Sequence, residues 1–337
     1  MSSPLTLRPD WLDQVREDII DPDRRIIDSH HHLWLGGGAF PYTLTELAAD
    51  TGCGHRIEQT VFLECGAEYR REGPKALRSL GEVEFVADAA AQLAADDNAP
   101  SQIAALISHI DLTLGTAAED IVHQHAEASN GLFRGVRHAG ARAEAGAKLA
   151  IAGNAPEGLF ALPAFRDGVR LLGRLGYGYE SWHYHYQLPA FIELAQAVPD
   201  TPIVLNHLGT PIINGIYRDR RDEIVEGWQR DMAALARCEN VTVKLGGIAL
   251  SIGGPGWLRR DRPPTSDEFA EAQRFWHLHA IDCFGPERCM FESNFPVDKL
   301  TISAPVLWNG FKKIAQDFSE AEKDALFSGT ATRVYRI

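Results

Sequence analysis

Thirteen histidines are spread along the chain, and three stand together in the run IIDSHHHLW at positions 26–34. In an extended segment, side chains two residues apart fall on one side. His30 and His32 therefore face one way and His31 the other. Two neutral imidazoles on one side can ligate a metal ion or form a hydrogen-bonded polar cap. His207 closes a second apolar run, TPIVLNHLG. Alone it reads as a core histidine bonded to a carbonyl or as a third ligand. Together the three match the protein share of an open catalytic zinc site, whose fourth position takes water or substrate. The expectation is one divalent metal, zinc first, on His30, His32 and His207, with a metal-free site as the alternative.

A hydrolytic site also needs a proton acceptor. The run RCMFESNFPVD offers Glu292 and Asp298, and FLEC offers Glu64, whereas the amide of Asn294 has no usable basicity. Each acid reads equally well as the partner of an Arg or Lys. Arg137 could grip a substrate carboxylate in bidentate fashion or steady an oxyanion, and Lys244 could serve the oxyanion or a structural ion pair. His109, His138, Glu180 and His185, with aromatics such as Trp34 and Trp182, suit a substrate pocket. His123, His125, His277 and His279 read as solvated helix positions.

These residues share one property: they end apolar, β-branched runs. The runs are 24–30, 59–65, 103–110, 132–138, 175–182, 201–207, 240–246 and 288–294. Continuous rather than alternating hydrophobicity predicts strands covered on both faces, as in a parallel sheet. Helical patterns lie between them at 76–96, 115–129, 163–174, 188–198, 219–237, 266–283 and 303–317. The TSDEF sequence offers a capped start for the helix at 266. Eight such alternations predict an α/β fold, a (β/α)8 TIM barrel, whose strand ends build one mouth. An open doubly wound sheet is disfavoured because no GxGxxG or GxxxxGK[ST] follows the first strand. The glycine-rich stretch 35–40 reads as a loop, and the run at 139–158 as a lid over the mouth.

The 337 residues read as a single domain over 1–337, with 1–23 as an N-terminal extension. A formal charge of −13 lacks the basic footprint that nucleic acid or an anionic membrane needs. A small-molecule substrate is the expected partner, with a homo-oligomer possible. Five unpaired-looking cysteines predict reduced thiols, and no leader or apolar span is evident, so a cytoplasmic location is expected.

In their order, IIDSHHHLW, TPIVLNHLG, NVTVKLGG and RCMFESNFPVD resemble the amidohydrolase-2 family of the amidohydrolase superfamily. The resemblance is to the branch holding fuconolactonase and the 2-pyrone-4,6-dicarboxylate and sulfomuconolactone hydrolases. It runs from about residue 24 to the end and implies a barrel that hydrolyses lactones or related esters. His30 and His32 match the first-strand pair, His207 the sixth-strand histidine, and Arg137 an arginine that helps bind anionic substrates. Same-fold decarboxylases, isomerases, C–N hydrolases and non-catalytic binders are the alternatives. The sequence departs at Asn294, where lactonases of this branch carry an aspartate that activates water and touches the metal. The segments FLECGAEYR and GEVEF resemble a subgroup in which FESNFPVD is the normal form, which implies that Glu64, Glu292 or Asp298 takes the proton there.

Overall fold

The β-branched runs become eight strands in a computed structural model that describes residues 6–36, 40–147, 149, 152–250 and 254–337. They are β1 (Ile26–His31), β2 (Ile57–Leu63), β3 (Gln102–Ser108) and β4 (Phe133–Arg137), then β5 (Gly178–Ser181), β6 (Ile203–Leu205), β7 (Val241–Leu245) and β8 (Cys289–Phe291). Each pairs in parallel with the next, in chain order. Sequence order with parallel pairing is what the βαβ repeat of a (β/α)8 barrel produces.

The last strand returns to the first through a seam. His31 bridges Phe295, the Asn294 N–H donates to the His30 carbonyl at 2.9 Å, and the His32 N–H donates to the Phe295 carbonyl at 2.8 Å. Two side chains from the histidine run complete it. Ser29 Oγ donates to the Phe291 carbonyl at 2.8 Å, and Asp28 accepts from the Ser293 N–H at 2.8 Å and its hydroxyl at 2.5 Å. The Asp-Ser before the histidines thus closes the barrel and sets where the imidazoles stand.

Among the described residues twelve α-helices accompany the sheet. The first six are α1 (Pro9–Leu12), α2 (Leu44–Thr51), α3 (Leu80–Ala94), α4 (Glu119–Ala128), α5 (Pro163–Arg174) and α6 (Leu188–Ala197). The others are α7 (Arg221–Leu235), α8 (Gly254–Leu258), α9 (Ser266–Phe284), α10 (Ala304–Ile314), α11 (Glu320–Asp324) and α12 (Thr330–Tyr335). The expected start of α9 is present: Thr265 and Glu268 form a capping box, which satisfies two orphan N–H groups. The N-terminal extension is pinned to α10, where Lys312 donates to the Ile20 and Asp21 carbonyls and Asn309 accepts from the Ile20 N–H.

Apolar packing has two layers. One large cluster fills the space between sheet and helices, and a smaller one plugs the lumen with Ile27, Val61, Leu63, Ala105, Ile107, Val204, Met290, Ala331 and Tyr335. The lumen plug leaves its C-terminal end to polar side chains. Two histidines expected in solvent are core groups instead. His125 is buried against Ser108 Oγ at 2.8 Å, and His277 is buried with Nδ1 3.0 Å from the Gln273 carbonyl. Their helix faces are polar in sequence but turn inward, where a hydroxyl or carbonyl satisfies the ring.

Residues 37–39 of the glycine-rich stretch, and 148, 150 and 151 of the expected lid, lie outside the described residues. The described part of the lid run is stitched down: Ala141 N–H donates to the Trp182 carbonyl, and Gly153 N–H to the Tyr184 hydroxyl. All five cysteines are free. Among the described residues no helix is long and apolar enough to cross a membrane.

Candidate active site

Alternation along the strands decides which side chains enter the lumen above its apolar plug, except on β1. There a register irregularity between Asp28 and His31 turns His30 inward although Ile27 already lies in the plug. β1 supplies His30 and, just past its end, His32. β4 supplies Arg137, β5 Glu180 and β7 Lys244. The chain just beyond β6 gives Asn206 and His207, and that beyond β8 gives Glu292. All are buried. His31 faces outward and packs edge-on against Phe62.

Glu292 is the hub. Its Oε1 lies 2.7 Å from His207 Nδ1 and accepts the His207 N–H at 3.2 Å, while its Oε2 lies 2.7 Å from His30 Nδ1. The two imidazole centroids are 4.6 Å apart. His32 Nδ1 faces the Leu63 carbonyl at 2.9 Å, which fixes the proton on that nitrogen. Its Nε2 then points a lone pair at His30 Nε2, 3.2 Å away. Burial pushes His30 and His32 well below the ordinary histidine pKa, helped for His30 by Lys244 and for His32 by Arg137. Both rings are neutral and ligand-ready.

The backbone around His207 is built for this placement. His207, Leu208 and Thr210 all take left-handed φ, at 55°, 55° and 42°. Non-glycine residues there cost on the order of 1–2 kcal/mol each, so tertiary bonds such as the one from the His207 N–H must hold them. Glycines make the room. A Cβ on Gly247 would fall 1.8 Å from His207 Nδ1, and one on Gly246 would fall 2.3 Å from the Glu292 carbonyl oxygen.

Arg137 spans to the other wall. Its Nε donates to Glu64 Oε1 at 2.7 Å, Nη2 donates to the Glu64 carbonyl, and Nη1 lies 3.4 Å from both His30 Nε2 and Asn206 Oδ1. The guanidinium is committed to the protein. Burial would lower its pKa, but the Glu64 carboxylate outweighs that and raises it. Glu180 takes Lys244 Nζ at 2.8 Å and Asn206 Nδ2 at 2.7 Å on Oε2, and the Tyr335 hydroxyl at 2.7 Å on Oε1. Burial lowers the Lys244 pKa, opposed by Glu180 and Glu292.

The other expected residues flank this cluster. Asn294, at φ 53°, donates through Nδ2 to Asp298 Oδ1 at 3.3 Å, and the Ala249 N–H donates to Asp298 Oδ2. Burial pushes the Asp298 carboxyl up to about 8. His109 and His138 pair at 5.2 Å over the ends of β3 and β4. Trp34 stacks on His32 at 6.1 Å. His185 lies in a loop layer, accepting from the Ile212 N–H and packed on Tyr186 and Tyr217. Sequence reading missed Tyr335, Gly246 and Gly247. The glycine pair after the Lys244 strand was a legible signal of close approach, whereas Tyr335 gave none.

The donor set fits a divalent cation of nitrogen and oxygen preference. One ligand-capable atom from each of His30, His207 and Glu292 lies within 4.8 Å of the others. His30 Nδ1 and Glu292 Oε2 approach closely yet make no aligned hydrogen bond, as expected of two atoms shaped for a third partner.

A parallel barrel with imidazoles from β1 and β6 meeting a carboxylate beyond β8 defines a class of mouth-centred barrel enzymes. The sequence profile of the family described as Amidohydrolase matches residues 27–337, and the chain belongs to that family. An uncharacterized protein of Sinorhizobium fredii, y4mH, is 36% identical over 218 residues, 65% of each chain. The L-fucono-1,5-lactonase of Burkholderia multivorans is 29% identical over 174 residues, 51% of this chain and 56% of that one. The chain thus spans less than two thirds of the length of either curated relative. An amidohydrolase of Burkholderia multivorans, solved with HEPES and, in another crystal form, with zinc, superposes at TM-score 0.70 with 25% and 24% identity. Each superposition covers 93% of this chain and 99% of that one. The fold is shared by 5-carboxyvanillate decarboxylase of Sphingomonas paucimobilis, at TM-score 0.54 and 12% identity over 93% of this chain and 99% of that one.

Proposed function

We propose that the protein hydrolyses a lactone or related carboxylic ester of a small polyhydroxylated molecule at the C-terminal mouth of its barrel. The observation that carries this is the meeting of His30 and His207 on one buried carboxylate, Glu292, beside the lone pair of His32. The likeness to L-fucono-1,5-lactonase supports it. His30, His207 and Glu292, with His32 alongside, would hold a divalent metal, zinc first. Such an ion, when bound, supplies Lewis acidity toward a carbonyl oxygen and a nucleophilic water at neutral pH.

The chain's own residues do the rest. Glu292 pairs with His207 Nδ1, which orients that imidazole and fixes its tautomer. Of the three candidate bases, Glu64 is the one with access to solvent: its side chain is 15% exposed, whereas Glu292 and Asp298 are sealed. Glu64 therefore takes the proton of the attacking water. When the acyl C–O bond breaks, that proton goes to the departing ring oxygen, giving a hydroxy acid. Arg137, locked against Glu64, holds that carboxylate in place beside His30. Because that cation is already spent on Glu64, recognition falls to hydroxyl contacts from His109 and His138 and to Trp34. This favours a polyol ring over a dicarboxylate.

The test is acid release from a panel of aldonolactones and a pyrone dicarboxylate at pH 7–8, with added zinc. At least one aldonolactone should turn over, and Glu64→Gln and His207→Ala should each lose on the order of 10²-fold or more in kcat. Turnover of no ester, or carbon dioxide release from an aromatic acid, would refute the reading.

A further inference from the structure

A circuit of hydrogen bonds and close ion pairs lines the lumen at the level of the site. Arg137 reaches Asn206, Asn206 reaches Glu180, Glu180 holds Lys244, and Arg137 returns to His30, which meets Glu292. Glu180 is its junction, receiving three donors on two oxygens. Two come from neighbouring strands. The third is the hydroxyl of Tyr335, from α12, the last helix, which packs into the lumen among Ile27, Val61, Leu63 and Met290. Tyr335 is 1% exposed and lies at the end of the barrel opposite the mouth, where it lines a cavity of about 370 Å³ with Arg134, Pro202 and Asn240.

The geometry points to Tyr335 as a positioning residue for the reaction, acting from the closed end of the barrel by fixing the rotamer of Glu180. With Oε1 occupied by the hydroxyl, only Oε2 faces Lys244 and Asn206. Asn206 then keeps its Nδ2 on Glu180, and so its Oδ1 toward Arg137. That acceptor and Glu64 together aim the guanidinium at His30. Without the hydroxyl, a buried Oε1 is left with no donor, and Glu180 gains by turning both oxygens onto Lys244. Asn206 is then free to rotate, and Arg137 loses one of its anchors. Nothing at the mouth that would touch substrate is altered.

This inference rests on the proposed hydrolysis for its kinetic readout but not for its spectroscopic one. Tyr335→Phe keeps the ring and its packing. Ala331→Gly weakens the same helix from a position 1% exposed that carries no polar atom to the circuit. Both are compared with the unsubstituted protein in steady-state kinetics and in ¹⁵N-arginine NMR, where the Arg137 Nε–H signal is identified by its loss in Arg137→Lys. Tyr335→Phe is expected to lower kcat ten- to a hundredfold, the scale of a misplaced group, with KM within about twofold. It should also shift the Arg137 signal, while Ala331→Gly does neither. An unmoved Arg137 signal in Tyr335→Phe, or equal kcat losses in the two variants, overturns the inference. Failure of the wild type on every ester would refute the hydrolase reading alone, and the Arg137 signal would still decide the role of Tyr335.

Discussion

Replacing Gly247 by alanine tests whether the site depends on a cradle that only glycine provides. Gly247 has φ 65°, and an added Cβ would stand 1.8 Å from His207 Nδ1 and 2.4 Å from its Cγ. No small adjustment relieves such an overlap, so the imidazole must leave Glu292. The left-handed φ costs alanine about 1–2 kcal/mol. Losing a hydrogen bond to a buried carboxylate adds about 1.5–3 kcal/mol. Together the loss is roughly 3–5 kcal/mol. Gly131 is the internal control, with φ 83° and nothing within 4 Å of an added Cβ. Gly131→Ala carries only the backbone cost, about 1–2 kcal/mol. Urea unfolding of both variants should therefore separate them by roughly 2–3 kcal/mol. Esterase turnover should fall on the order of 10²-fold in Gly247→Ala and stay unchanged in Gly131→Ala. Equal stabilities, or equal activities, would refute the claim that His207 is held on Glu292 by the space that Gly247 leaves.

Other outcomes follow from buried titrating groups and caps. Burial holds His31, His55, His138, His185 and His277 near 4 and His125 and His183 near 3. Their folded pKa values are depressed, so the unfolded chain binds the extra protons and stability is lost as pH falls below about 6.5. Burial raises Asp28 to about 6 and Glu82 and Asp298 to about 8, so these cost stability as pH climbs from about 4 toward those values. The histidines outnumber these acids, so chelator-treated protein should lose stability as pH falls from about 6.5 to 5.5, and a flat urea midpoint across that range would contradict it. Glu82→Gln should be nearly neutral at pH 7 and stabilising above pH 8, because both backbone donors use Oε1 and Oε2 has no partner; a loss of more than about 2 kcal/mol at pH 7 would refute this. Thr265→Ala removes the capping box of α9 and should cost about 1 kcal/mol in urea unfolding without changing turnover; no change in midpoint would contradict the cap assignment.

Much of this architecture was legible because its signals are local. Continuous β-branched runs such as TPIVL and NVTVKL become strands that overlap every expected range, and Arg137, Glu180, Lys244 and Glu292 from their ends are buried beside one another. The parity of His30, His31 and His32 also follows from strand geometry alone. Partners separated by most of the chain were not legible. That Asp28 would be spent on Ser293, and Glu292 on two imidazoles at once, depends on how β8 meets β1, which no periodicity encodes. Arg137 read as a substrate cation because its commitment to Glu64, 73 residues away, is invisible in either strand. Tyr335 sits in an unremarkable helical end, and only barrel closure gives its hydroxyl a carboxylate. His125 and His277 misled for the converse reason: charged neighbours disguise a buried face.

The central claim is that His30, His32, His207 and Glu292 form one reaction centre. Anomalous diffraction at the zinc edge, from crystals soaked in zinc, tests it most directly. A single strong peak within coordination distance of His30, His207 and Glu292, absent from Glu292→Gln crystals, is the expected result. A peak elsewhere, or the same peak surviving in Glu292→Gln, would contradict the account.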